Sequence, residues 1–391
     1  MRRQGLRRTR PQGKILNAFT PAAFMPPKIA VIYLSYNSLP YLPEVVSSWE
    51  KLDYPREALE IVIVDNASAD GSAQWIRDHV LPKSNSVLPR VTFFPSGVNL
   101  GFAGGNNLGI DHALLEGADY AYLQNNDAKL DSGCIREAVA LAQSDENIGS
   151  VQSFMRLWQD PEVVNSTGGM VHFLGFGFVR DNGRYAKDVT ATDPSTSLRV
   201  DGEEIAYGSG AATLYRATAL KAAGLLDDHL FLYHEDLELG WRLRLAGFRN
   251  VLSMKSVAFH RYEFSRSVQK LYWMERNRWL VHLSHLKAAS LALIAPFMLV
   301  EELALAAFAI HGGWFSQKLK AWGAAFDPRT WAYVSRKRKE SRTIRKVTDA
   351  EIVRLWTGRI EHQATSNPIV EKVANPVLDA IWRVVRKCIV W

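Results

Sequence analysis

Short apolar runs alternate with amphipathic stretches along the first part of the chain. Ile29–Ser35 carries no charge, and Glu60–Asp65, Val91–Phe94 and Asp119–Asp127 are built the same way. Runs of this length, rich in β-branched and aromatic residues, predict strands buried on both faces. Between them Leu42, Val45, Val46 and Trp49 recur at helical spacing, which predicts a helix over 40–51. Helices are likewise expected over 70–80, 101–115 and 132–143, and a fifth strand over 148–152. Strand and helix in alternation predict an α/β domain with a mainly parallel sheet and helices on both faces. The pattern covers residues 28–152.

It then changes. Residues 154–207 are rich in Gly, Asn, Asp and Thr, with short strands expected at Met170–Leu174 and Gly177–Val179. A strand follows over 206–215, then helices over 217–223 and 235–246, the second closed by Gly247. A last strand-like segment lies within 251–260, and from about residue 267 the pattern is helical. Residues 288–310 are almost wholly apolar except for Glu301 and Glu302. Two adjacent acids argue against a single clean membrane span, because each costs about 2.5–3.5 kcal/mol at mid-bilayer. A buried helix or helical hairpin is one expectation, and a helix lying on a membrane surface is the other.

Charge supports the surface reading. The chain has 391 residues and a formal charge of +7. Residues 1–28 hold seven cations and no acid, and residues 318–346 hold ten Lys or Arg against Asp327 and Glu340. Such patches fit a polyanion, either nucleic acid or an anionic membrane surface. No recognised nucleic-acid reading motif accompanies them, so the membrane is expected. Cys134 and Cys388 form neither a disulfide framework nor a zinc pattern. No signal peptide is expected, since Asn17, Thr20 and Pro21 interrupt the only apolar stretch near the start.

The candidate chemistry sits where strands end. In open α/β sheets ligands bind beyond the carboxyl ends of the strands. Asp119–Asp127 ends in Gln124-Asn125-Asn126-Asp127, which places Asp127 there as a metal ligand or a turn residue. Asp65, in Asp-Asn-Ala-Ser-Ala-Asp-Gly-Ser, can accept from a nucleobase imide, with Asp70 as N-cap of the following helix. Asn99-Leu-Gly-Phe-Ala-Gly-Gly-Asn-Asn-Leu-Gly109 suits either backbone approach to a phosphate or tight helix–sheet packing. Its glycines do not match a dinucleotide fingerprint, which disfavours a nicotinamide oxidoreductase. Glu235, Asp236 and Glu238 stand in the first turn of a helix, where acids complement the dipole. Glu235 or Asp236 can take a proton from an acceptor hydroxyl, and Glu238 can pair with Arg242 on the surface. His260 gains meaning as a partner of Asp127, because imidazole and carboxylate together suit Mn²⁺ or Mg²⁺.

Together the DNASADGS segment, NLGFAGGNN, the NND of 125–127 and HEDLELGWR of 234–242 resemble a family 2 glycosyltransferase over residues 28–262. The subgroup that they resemble most includes bacterial rhamnosyltransferases of cell-surface polysaccharide assembly. The resemblance implies the GT-A fold and inverting sugar transfer from a nucleotide diphosphate, dTDP-rhamnose or a UDP-sugar, to a glycan or lipid-linked hydroxyl. Asp65, Asn99, Gly101, Asn106 and Asn126 would bind the nucleotide. Asp127 and His260 would hold a divalent Mg²⁺ or Mn²⁺. Ser209 and Gly210 would lie near the donor sugar or acceptor, and Asp236, beside Glu235, would be the base.

The implied organisation is a basic flexible tail over 1–27, a nucleotide-sugar-binding half over 28–152, an acceptor and catalytic half over 153–266, and a helical region over 267–391. The implied location is cytoplasmic, at the inner face of the cell membrane. Two departures stand out. Asn125 replaces the first acid of the usual Asp-x-Asp, which keeps a catalytically silent nucleotide-sugar-binding protein as the alternative. The Gln-x-x-Arg-Trp of processive synthases is absent, and Glu275-Arg-Asn-Arg-Trp279 is not equivalent, so transfer of one or a few sugars is expected.

Overall fold

The computed structural model describes residues 25–190, 201–261, 270–361 and 370–391. Residues 1–24 of the expected tail lie outside them. The main sheet runs in the order Glu203–Ile205, Arg249–His260, Ile148–Leu157, Ala212–Arg216, Tyr120–Asn125, Ile29–Ser35, Leu59–Asp65, Arg90–Pro95. The last four strands are mutually parallel. Ala212–Arg216 runs antiparallel to both its neighbours, and Arg249–His260 is parallel to Ile148–Leu157.

The central strands are buried on both faces, as their unbroken apolar runs require. The period of two divides each of them between two cores. Ile29, Val31, Tyr33, Ile61, Ile63 and Tyr122 pack with the helices Leu42–Trp49 and Cys134–Gln143. Ala30, Ile32, Val62, Ala121 and Leu123 pack with Gly101–Leu115, Ala217–Ala223 and Glu235–Leu245. Part of the glycine-rich segment serves this packing. A Cβ on Gly105 would lie 2.4 Å from Leu34, and one on Gly109 would lie 2.5 Å from Ile32.

Several expectations are corrected. The strand expected over 206–215 is confined to Ala212–Arg216, because residues 208–210 turn towards the sheet edge and Ser209 O accepts from Thr213 Oγ1 at 2.6 Å. Asp70 is not the N-cap; Gly71 holds that position at φ 92°. Asp70 Oδ1 still accepts from Ser72 N at 3.0 Å. Glu238 and Arg242 do pair, at 2.6 Å, but both are buried rather than on the surface. Lys337 and His285 from the C-terminal region close over Glu238, and against the cost of burial Arg242 first, then Lys337 and His285, hold its carboxyl well below the usual range.

Among the described residues, the region after 267 is helical with one exception. Trp356–Thr357 adds a strand to Gly169–His172, which pairs in turn with Gly177–Val179. Its helices share a core with the helix Glu235–Leu245: Leu237, Trp241 and Leu245 meet Val281, Ile294, Trp356 and Trp382. The segment expected to be a buried helix or hairpin is one helix, Ala288–His311. It is long and apolar enough to cross a membrane by length and composition, yet only 11% of that stretch is buried. Its two acids face the protein. Glu301 lies 2.7 Å from Arg278, and Glu302 pairs with Arg278 and with Lys318.

Candidate active site

Parallel strands deliver their carboxyl ends to one edge, and the predicted residues follow that edge in strand order. Asp65 ends Leu59–Asp65, where Ser68 N donates to its Oδ2 at 3.2 Å. Asn66 joins this corner to the next. Its Nδ2 donates to Asn99 Oδ1 and to Gly101 O, both at 3.0 Å, and its Oδ1 accepts from Leu100 N at 2.8 Å. Asn99 Oδ1 also accepts from Gly101 N at 2.8 Å, which satisfies a free donor at the start of the helix Gly101–Leu115. Asn106 is buried and turned inward, its Nδ2 donating to Phe102 O at 2.9 Å. On the other side Asn126 Nδ2 donates to Tyr36 O at 2.8 Å.

Asp127 and His260 come together across the sheet. Ala128 pairs with His260 in the antiparallel register of Ala128–Leu130 and Arg249–His260. That register sets His260 Nε2 3.1 Å from Asp127 Oδ1. The other ring nitrogen lies 3.0 Å from Asn165 Oδ1. A proton on Nδ1, donated to Asn165, leaves a lone pair on Nε2 beside the carboxylate, the pairing that a divalent cation satisfies. Asn125 Oδ1 is buried without a hydrogen-bond partner in the same cleft, a further oxygen suited to such a cation or to a ligand donor. Among the described residues no cluster of three or more His, Cys, Asp or Glu forms a metal site by itself.

Glu235 and Asp236 open the helix Glu235–Leu245. Asp236 Oδ2 accepts from Gly210 N at 3.2 Å, and its Oδ1 accepts from Leu237 N at 2.7 Å. Burial pushes both carboxyls above the usual carboxylate range, and the Asp236 charge pushes Glu235 further. Glu235 Oε2 has no hydrogen-bond partner among the described residues. Two carboxyls this close in a buried site disfavour ionisation of both, and the Glu235 carboxyl is pushed up by its burial and by the Asp236 charge. Ser209 N is held by Gln152 Oε1 at 2.9 Å, and Gly210 lies under the Phe102 ring, which a Cβ would approach to 2.8 Å.

One cleft of about 610 Å³ is lined by Asn125, Asp127, Ser209, Gly210, Glu235, Asp236 and His260. Asp65, Asn99, Gly101, Asn106 and Asn126 are not among its lining residues; they flank it along the sheet edge. A cleft of about 640 Å³ at the opposite edge, around Lys28, Asp119 and Lys221, lacks these groups. Before the acids the backbone takes positive φ at Phe231, Tyr233 and His234. Asn277, fully buried, holds this turn by donating Nδ2 to the carbonyls of Leu230, Leu232 and Tyr233 at 2.9, 3.1 and 2.7 Å. Sequence reasoning missed Asn66, Gln152, Asn165 and Asn277. Only Asn66 carried a signal, as the neighbour of Asp65 in a singled-out motif.

A glycosyl transferase family 2 profile matches residues 30–224. Over 250 residues the chain is 24% identical to N-acetylglucosaminyl-diphospho-decaprenol L-rhamnosyltransferase of Mycobacterium tuberculosis, covering 59% of this chain and 75% of that protein. Over 186 residues it is 23% identical to the low-salt glycan biosynthesis hexosyltransferase Agl10 of Haloferax volcanii, covering 47% and 53%. The structure of GalNAc-T7 with UDP, GalNAc and Mn²⁺ superposes with a TM-score of 0.52 at 14% identity, over 67% of this chain and 48% of that one. The chain thus spans about half the length of that structure.

Proposed function

We propose, for a chain whose residues 30–224 are a glycosyl transferase family 2 domain and whose fold is GT-A, that it is an inverting, non-processive enzyme. It moves one sugar from a nucleotide diphosphate, dTDP-rhamnose or a UDP-sugar, to a hydroxyl of a glycan or lipid-linked acceptor. The setting is cell-surface polysaccharide assembly, on the cytoplasmic side of the membrane. The observation that carries this reading is the convergence of Asp127 and His260 with Glu235 and Asp236 on one cleft. A leaving-group side and a proton-accepting side then face each other across the space for a sugar.

Asp65 and the corner held by Asn66 receive the nucleotide. Asp127 and His260 would hold a divalent cation, which when bound supplies positive charge to the departing diphosphate. The acceptor oxygen forms its bond to the anomeric carbon from the opposite face. The bond from that carbon to the diphosphate oxygen breaks, and its electron pair leaves with the diphosphate. The hydroxyl proton passes to Asp236 as the bond forms, since the free alkoxide is too basic to form first. Gly210 N and Leu237 N fix the two oxygens of Asp236, so the base needs no reorientation.

A donor screen tests this reading. UDP-, GDP- and dTDP-sugars are supplied with Mn²⁺ or Mg²⁺, and nucleotide release is scored. Release from one class, dependent on the cation and raised by a hydroxyl acceptor, is the expected result. Nucleotide-sugar binding without turnover for every donor, with all acceptors tried, would favour the silent binding protein.

A further inference from the structure

The helix Ala288–His311 has an exposed side unlike any other surface among the described residues. Ala292, Ala295, Leu299, Leu303 and Ala307 follow at steps of three and four, all exposed. Leu299 is 68% exposed, Leu303 71% and Phe308 56%. Every exposed residue from 288 to 310 is apolar. At 1.5 Å per residue the exposed side over 288–310 is about 34 Å long, and an apolar surface of that extent marks an interaction site.

The opposite side is fastened to the protein. Ile294 is buried, and Leu291, Phe297 and Met298 pack on the core that contains Trp382. Glu301 and Glu302 are held by Arg278 and Lys318. The two acids that count against a span therefore never meet the exposed face. For the same reason the helix cannot cross a bilayer without abandoning a packed core and the cluster of Glu275, Arg278, Glu301, Glu302 and Lys318. The cations lie next along the chain. Lys320, on the helix Phe315–Gly323, and Lys339 and Arg342, on the helix Pro328–Ile344, are exposed and have no carboxylate partner among the described residues. Phe326, 86% exposed, and Trp331, 50% exposed, stand between them.

We infer that this face rests in the surface of an anionic bilayer. The apolar stripe lies among the upper acyl chains, parallel to the membrane plane, and the cations of the next two helices meet lipid phosphates. A second copy of the chain is a poorer occupant, because a two-fold contact would set the same unpaired cations near each other. The inference deepens the reading of a lipid-linked acceptor, since it brings the enzyme to the surface where such an acceptor is held.

The test measures binding without turnover, so its failure is distinct from failure of the transferase reading. Full-length protein is mixed with phosphatidylcholine vesicles, with or without phosphatidylglycerol, and sedimented. Binding to the anionic vesicles, weakened by salt, is expected. Leu299→Glu and Leu303→Glu should each lower partition by about tenfold. Lys339→Ala and Arg342→Ala should each lower it by about fivefold at low salt. Nucleotide release from a soluble donor should be unchanged in all four, which shows that they fold. Three results would overturn the inference: no binding by the parent, equal binding by the leucine variants, or resistance to alkaline carbonate extraction, which marks a spanning helix. A dimer in light scattering that Leu299→Glu dissolves would assign the face to a second copy and overturn it too.

Discussion

Gly101 leaves no room for a side chain against Phe231: a Cβ on residue 101 would lie 2.5 Å from the Phe231 ring and 2.6 Å from its carbonyl oxygen. Gly101 also stands at φ +73°, and Phe102 N donates to Phe231 O at 2.7 Å. The helix beside the expected nucleotide corner is thereby clamped to the turn that carries the acids. Gly101→Ala should cost about 1–3 kcal/mol in a urea melt. Turnover should fall further than nucleotide affinity, because the displaced part is the turn. Unchanged turnover in a folded variant would uncouple the two corners.

Asp236→Asn should lower turnover by about 10²–10⁴-fold while nucleotide binding survives. Burial raises the pKa of Asp236. The acid limb of kcat/KM should therefore lie above the ordinary carboxylate value of about 4, with activity lost as pH falls through it. A variant that loses nucleotide binding and keeps turnover would remove Asp236 as the base.

Glu235 gives a stability prediction of defined sign. Its pKa in the folded state is well above that in the unfolded chain. The folded protein therefore holds a proton that the unfolded chain releases above about pH 4.3. Stability falls as pH rises through that window towards the folded pKa. Glu235→Gln keeps the shape without the charge. Its Tm should exceed that of the parent at pH 8 and match it at pH 4; an equal Tm at both would show that Glu235 is not desolvated.

His260→Ala tests the cation site without turnover. Mn²⁺ titrated into protein with bound nucleoside diphosphate should bind about tenfold or more weakly than in the parent. With Asn125 in place of an acid, both proteins should bind Mn²⁺ poorly when the nucleotide is absent. Equal affinity with nucleotide present would remove His260 from the shell.

Asn277 is a positioning residue: its Nδ2 holds the turn, its Oδ1 accepts from Arg276, and it does not line the cleft. Asn277→Ala removes a donor from three carbonyls, of which Leu230 O keeps Leu232 N at 2.7 Å, and should destabilise the protein by about 1–3 kcal/mol. Its kcat should drop with little change in nucleotide affinity. A drop in stability alone would leave it a purely structural role.

The parallel strands and the helix starts were legible because their signals are local. Ile29–Ser35 is uncharged and apolar up to Leu34 and so had to be buried on both faces, and it is. Asp127 and His260 were paired by chemistry alone, and the register places them in contact. Asn165, Gln152 and Asn277 were illegible for a common reason. Each is a lone polar residue whose work is done on a group far away in sequence, often a backbone atom, and neither periodicity nor composition marks it. Glu238 and Arg242 were misplaced on the surface because the spacing shows that they pair, not what covers them. Glu301 and Glu302 could be read only as a cost until Arg278 and Lys318 were seen beneath them.

The strand Trp356–Thr357 also bears on how the chain folds. It completes the sheet of Gly169–His172, Phe173 N donates to Thr357 O at 3.0 Å, and Phe173 stacks on Trp382. During synthesis the parallel half has all of its strands long before these residues exist. The half that bears the acids waits for Trp356 and Trp382 to leave the ribosome. Until then Phe173, Trp241 and their neighbours are exposed to any sticky surface nearby. A chain cut short before Trp356 would keep its nucleotide corner and expose that core, and a cell would meet it first as a substrate for chaperones and proteases.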